Sequence, residues 1–158
     1  RAGEEVETVS IMGRKMIEGS HKIKVEADAL FEETDFTEGK MLVLPGGMPG
    51  TRHLGAYKPL TDMLCDWDTK GKQLAAICAA PSVFGGLGFL KDRKATSYPG
   101  CLDGIPVGEY TEEPVAVDGN VVTSRGVGTA IAFALKLIEV LISKEKADEI
   151  AASIVYPV

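Results

Sequence analysis

Leu74-Ala75-Ala76-Ile77-Cys78-Ala79-Ala80-Pro81 is an apolar run of strand length that stops at a cysteine and turns at once into a helix. A cysteine on such a strand-to-helix corner lifts its sulfur above the end of a sheet. It lies beside backbone N–H groups that lack an intrahelical partner, at the positive end of a helix dipole. Those surroundings favour a thiolate, which makes the sulfur a usable nucleophile or redox centre. The corner has the logic of the serine nucleophile elbow, with sulfur in place of oxygen. The plainer alternative is an inert cysteine at a strand end, since free cysteine is among the most buried residue types.

Upstream lies Met41-Leu42-Val43-Leu44-Pro45-Gly46-Gly47-Met48-Pro49-Gly50, a second apolar strand stopped by turn formers. Two glycines directly after a strand let the backbone approach another group closely. In a parallel sheet the carboxyl ends of all strands open on one edge, where ligands bind. Gly46-Gly47 and Cys78 are therefore expected side by side, with the N–H groups of Gly46, Gly47 and Ala79 forming a pocket of the oxyanion-hole kind. A side chain at Gly47 is expected to crowd the sulfur. By itself Pro-Gly-Gly is only a tight turn; paired with the Cys78 corner, the functional reading is the better one.

Outward from these two strands the chain alternates strand and helix. Val6–Met12 reads as a strand, and His21–Ala27 as a strand with Ile23, Val25 and Ala27 on one face. Phe31–Lys40 is an acidic connection. Leu60, Met63, Leu64 and Trp67 recur at helical spacing, with Pro59 near the start. A short helix follows Cys78 through Val83-Phe84 and ends at Gly85-Gly86. Ala95–Tyr98 is a short strand, and Asp118-Gly119-Asn120 closes a hairpin between Val115–Val117 and Val121–Thr123. Thr129–Ile142 reads as a buried apolar helix and Lys144–Val155 as a final amphipathic one. This pattern implies an α/β domain, a parallel sheet with helices on both faces and one small β-hairpin.

The Leu-Pro-Gly-Gly-Met-Pro-Gly and Ala-Ala-Ile-Cys-Ala-Ala-Pro motifs, with Thr123-Ser124-Arg125-Gly126-Val127-Gly128-Thr129 before an apolar helix, resemble the ThiJ/PfpI superfamily. They are most similar to the branch containing the parkinsonism-associated protein deglycase. The resemblance runs from Arg1-Ala2-Gly3 to about Val155. It implies a single-domain flavodoxin-like fold, related to class I glutamine amidotransferase domains, and Cys78 as the catalytic residue. There are two departures. The family's functional glutamate precedes an Arg-Ala-Gly helix end, which here is Arg1-Ala2-Gly3, so Glu4 and Glu5 are not that residue. The resemblance thus implies that residues 1–158 are one domain lacking its first β-α unit, whose acidic residue would meet Cys78. Some members also carry a histidine where Tyr98 stands here.

Composition bounds the function. The 158 residues suit one core, and 45% hydrophobic residues are ordinary for a globular chain. A net charge of −6 argues against a nucleic-acid partner. No apolar run approaches a membrane span. Three cysteines without a pairing pattern fit a reducing, cytoplasmic setting. No zinc-like spacing occurs, so neither metal nor cofactor is expected. His21 reads as solvated surface. His53 lies within reach of the pocket mouth, and Arg125 is either an anion ligand or a structural ion-pair partner. Cys65 fills core or surface, and Cys101 is a free loop thiol or a resolving thiol for Cys78.

The resemblance implies a small carbonyl substrate, a 2-oxoaldehyde such as methylglyoxal or its early adducts on amines, and a homodimer. The chain then reads as a glyoxalase or deglycase acting through Cys78. The second reading is a non-catalytic redox sensor or chaperone that uses oxidation of Cys78. The weakest is a cysteine peptidase or amidase, because no activating histidine is evident.

Overall fold

The computed structural model describes residues 1–157. In chain order the strands are β1 (Val9–Ser10), β2 (Met16–Glu18), β3 (Lys24–Glu26), β4 (Ala29–Leu30) and β5 (Met41–Leu44). They continue with β6 (Gln73–Ile77), β7 (Lys94–Ala95), β8 (Glu109–Tyr110), β9 (Val115–Asp118) and β10 (Val121–Ser124). The helices are α1 (Gly50–Ala56), α2 (Lys58–Thr69), α3 (Pro81–Gly86), α4 (Ala130–Leu141) and α5 (Lys144–Ser153).

The central sheet has the order β5-β6-β10-β9. β6 runs parallel to both neighbours, with Leu42 opposite Leu74 and Ala75 opposite Val122. β9 is antiparallel to β10, joined through a turn in which Gly119 adopts φ +57°. Side chains alternate across the pleat. Leu74 and Ala76 therefore pack with Leu60, Leu64 and Trp67 of α2 and Phe84 of α3, while Ala75 and Val122 pack with Phe133 of α4 on the opposite face. The α/β sheet with helices on both faces and a hairpin at one edge is the expected architecture. Because β6 is covered on both faces it carries no polar residue after Gln73, and Leu74, Ala75 and Ala76 are fully buried.

The opposite edge of the sheet is different. Among the described residues β5 pairs with β6 alone. Its other edge looks onto a cavity of about 1530 Å3 that separates it from β1, which pairs in parallel with β4 in a small sheet of its own. Val9, Ile11, Met41, Trp67, Ile131 and Ile138 are among the residues lining it. Trp67, the only tryptophan, is nearly buried and lies under the Lys72 ammonium, 4.3 Å from its ring centre.

Three departures from the sequence expectations follow, the first two explained by this open slot. The strand read over Val6–Met12 shrinks to Val9–Ser10, which has a partner on one side only. The helix read over Thr129–Ile142 forms, but of its residues only Phe133 is buried and Ile131 is 48% exposed, because part of the helix lines the slot. The strand read over His21–Ala27 is a hairpin arm. β3 pairs with β2, Ala27 is buried, and Ile23 and Val25 face solvent. The segment after the glycine loop forms the helix α1, separated from α2 by the extended Tyr57.

Candidate functional site

Cys78 has φ +65°, a left-handed conformation that ordinary side chains avoid. The surrounding chain enforces it from both sides. The Cys78 N–H donates to the Ser124 carbonyl at 2.9 Å, and the Cys78 carbonyl accepts from the Tyr98 N–H at 2.8 Å. The strand-to-helix corner is thus an elbow pinned to the end of β10 and to the segment after β7. The following helix α3 begins only at Pro81 and spans six residues. Charge at the sulfur is therefore answered by nearby loop N–H groups more than by a long helix dipole.

The glycine loop fits against this elbow. A Cβ built on Gly46 would lie 2.5 Å from the Cys78 Cβ, 2.6 Å from the Ile77 carbonyl oxygen and 3.1 Å from the Ala79 nitrogen. Only glycine fits there. Gly47 behaves differently. It adopts φ +91°, and a Cβ on it would meet nothing within 4 Å. The crowding expected at Gly47 thus belongs to Gly46, and Gly47 is required for its backbone conformation. The buried Thr51 secures the loop, donating both its N–H and its hydroxyl to the Gly47 carbonyl at 2.9 Å. The N–H groups of Gly47 and Ala79 meet no acceptor among the described residues.

A third wall comes from the segment after β10. A Cβ on Gly126 would lie 3.9 Å from the Cys78 Sγ and 3.6 Å from the Tyr98 Cδ2, so sulfur, tyrosine ring and glycine meet in one place. Thr129 holds that wall. Its Oγ1 accepts from the Gly126 N–H at 3.0 Å and lies 2.7 Å from the Oγ of fully buried Ser124. The Ser124 hydroxyl donates in turn to the Pro114 carbonyl at 2.7 Å. Sequence reasoning did not assign Ser124, Gly126, Thr129 or Thr51 a part in the site. The signal was present: buried hydroxyls at the carboxyl ends of apolar strands need partners, and those partners are loop backbone.

The other candidates divide. Tyr98 flanks the sulfur and is 55% exposed. Arg125 turns away to the preceding connection, where Nη1 donates to the Glu112 carbonyl at 3.1 Å and Nη2 lies 3.8 Å from its carboxylate. His53 is on the exposed face of α1, and its ring makes no hydrogen bond among the described residues. Cys65 is exposed on α2. Cys101 is half-buried; burial, then the nearby Cys78 and Asp103, push its thiol above the ordinary range. Among the described residues no cluster of histidine, cysteine, aspartate or glutamate is placed to hold a metal ion, and no helix is long and apolar enough to cross a membrane.

The family model described as DJ-1/PfpI matches residues 1–140. The solved structure of oxidised Toxoplasma gondii DJ-1 superposes with a TM-score of 0.94 at 39% identity, covering 99% of this chain and 86% of that one. Protein DJ-1 homolog B of Arabidopsis thaliana is 38% identical over 98% of this chain, which spans 36% of the plant protein. A deglycase of Pyrococcus abyssi is 35% identical over 88% of this chain and 84% of its own length. With its nucleophile-elbow geometry and a family match over most of its length, the chain belongs to the DJ-1/PfpI family.

Proposed function

We propose that the chain acts on 2-oxoaldehydes or their early adducts on amines through the Cys78 thiolate, as a glyoxalase or deglycase. The observation that carries this reading is the Cys78 elbow at φ +65°, with the N–H groups of Gly47 and Ala79 unpartnered beside it. The thiolate attacks the aldehyde carbon, forming a C–S bond, and the two N–H groups stabilise the resulting oxyanion. A proton then moves from C1 to C2, and water releases a hydroxy acid and the thiol. The name of the Pyrococcus relative supports the deglycase side of this reading.

The proton transfer needs a carboxylic acid near the sulfur. We propose that it belongs to a β-α unit whose strand occupies the slot beside β5, completing a single domain. The free edge of β5 and the apolar lining of the slot support this. A homodimer belongs to the same reading, and the exposed Ile23 and Val25 of the β2–β3 hairpin support it.

Glutathione-free incubation with methylglyoxal tests the proposal, with lactate as the readout. Lactate should form, and Cys78→Ser should abolish it while Cys65→Ser does not. Equal lactate from Cys78→Ser would sink the reading. The second reading is a redox sensor in which the same N–H groups stabilise oxidised Cys78; the oxidised form of the Toxoplasma relative favours it. Peroxide reactivity at Cys78 without lactate formation would select it.

A further inference from the structure

Tyr98-Pro99-Gly100-Cys101 is a β-turn by its own chemistry. Proline suits the second position, and the third needs a positive φ, which Gly100 supplies at +83°. The Cys101 N–H closes the turn onto the Tyr98 carbonyl at 3.0 Å. Such a turn brings its first and last Cα atoms within about 7 Å. Its first residue, Tyr98, is the one whose N–H holds the Cys78 carbonyl. The turn therefore holds Cys101 within one turn's span of the residue that is hydrogen-bonded to the elbow. The Cys78 sulfur also lies close enough to add to the burial that raises the Cys101 thiol. Cys65, the third cysteine, lies on α2 away from this cluster.

We infer that Cys101 is the resolving thiol of Cys78, and that the pair closes a reversible disulfide when a hydroperoxide oxidises the elbow. In the first step the Cys78 thiolate attacks hydrogen peroxide. A sulfur–oxygen bond forms, the O–O bond breaks and hydroxide leaves, so sulfur loses two electrons to the peroxide. In the second step the Cys101 thiolate attacks the Cys78 Sγ. The S–S bond forms, the S–O bond breaks, and the departing hydroxide takes a proton to become water. Closing that bond needs Cα atoms within roughly 7 Å. Gly100 and Gly104, both at positive φ, flank Cys101. Half-burial keeps the Cys101 thiol protonated to higher pH than usual, so the second step accelerates as pH rises. At low pH the sulfenate persists and a second peroxide carries it to the sulfinate.

This inference rests on Cys78 being the reactive thiol and not on the identity of any carbonyl substrate. The test is limited oxidation with two equivalents of hydrogen peroxide per chain, a thiol-blocking quench and peptide mapping by mass spectrometry. The expected product is a Cys78–Cys101 disulfide that dithiothreitol reverses, with a yield that rises with pH. Cys101→Ser, and independently Cys101→Ala, should instead accumulate Cys78 sulfinate several-fold, irreversibly, and still convert methylglyoxal. Equal sulfinate in wild type and both variants, or a crosslink through Cys65, would overturn the inference while leaving the glyoxalase reading intact. No oxidation of Cys78 at all would overturn the inference and the sensor reading together.

Discussion

The two sides of β6 show what a strand's neighbours do to the same kind of sequence. Leu74-Ala75-Ala76 and Val121-Val122 sit on closed faces and are at most 1% exposed. One strand away, Met41-Leu42-Val43-Leu44 is as apolar, yet Val43 is 45% exposed because the far side of β5 opens on the slot. Hydrophobic sequence specifies a buried strand, but burial is completed only by what packs alongside.

The largest effect sharpens this contrast. Ala76→Asp places a charge where no water reaches and should prevent folding, a loss above about 4 kcal/mol. Val43→Asp should change stability by less than about 1 kcal/mol with the slot open. A urea melt of both variants checks this. A collapse of Val43→Asp comparable to Ala76→Asp would show that a strand fills the slot in solution.

The glycine loop gives the next contrast. Gly46→Ala forces a methyl group into the elbow and should cost about 1–3 kcal/mol, with strong loss of Cys78 alkylation. Gly47→Ala meets open space and carries only the left-handed backbone penalty, about 1–2 kcal/mol, with a smaller loss of reactivity. Alkylation rates that fall further in Gly47→Ala than in Gly46→Ala would reverse the assignment.

Limited iodoacetamide labelling compares the thiols themselves. Cys78 should be modified first. Cys101, whose thiol is held above the ordinary range, should become reactive only at higher pH than an ordinary thiol. First labelling of Cys65 or Cys101 at neutral pH would remove the case for the elbow.

The smallest effect lies far from the sulfur. The Tyr57 hydroxyl donates to Glu32 at 2.6 Å, which lowers the Glu32 pKa. A depressed carboxylate contributes stability above its unfolded pKa and loses it as pH falls through its folded value. Tyr57→Phe should therefore slightly lower stability at neutral pH, leave it unchanged below the folded pKa of Glu32, and so flatten the acid limb of the stability curve. An unaltered acid limb would show that this exposed contact does not persist.

The sequence was legible where local chemistry decides. The apolar run ending at Cys78, the glycine pair and the Asp-Gly hairpin each name their own geometry, and the elbow follows from them. It was less legible where geometry depends on distant partners. The short β1, the exposed face of α4 and the outward Ile23 and Val25 all follow from what lies, or does not lie, beside them. Within the site, the apolar pattern drew attention to Gly47, while the steric demand falls on Gly46, a distinction of one residue that only three-dimensional contact resolves. Thr129 and Ser124 stood in a quoted motif, but their part in the site was not legible because hydroxyl networks have no periodicity.

Trp67 has a consequence for measurement. A chain with one indole, set in the wall of the slot beneath a lysine ammonium, carries its own optical reporter. Emission from the single indole will shift in colour and lifetime when apolar polypeptide displaces water from that wall. The occupancy of the slot can thus be followed in an unlabelled sample by spectroscopy alone, separately from anything that happens at the sulfur.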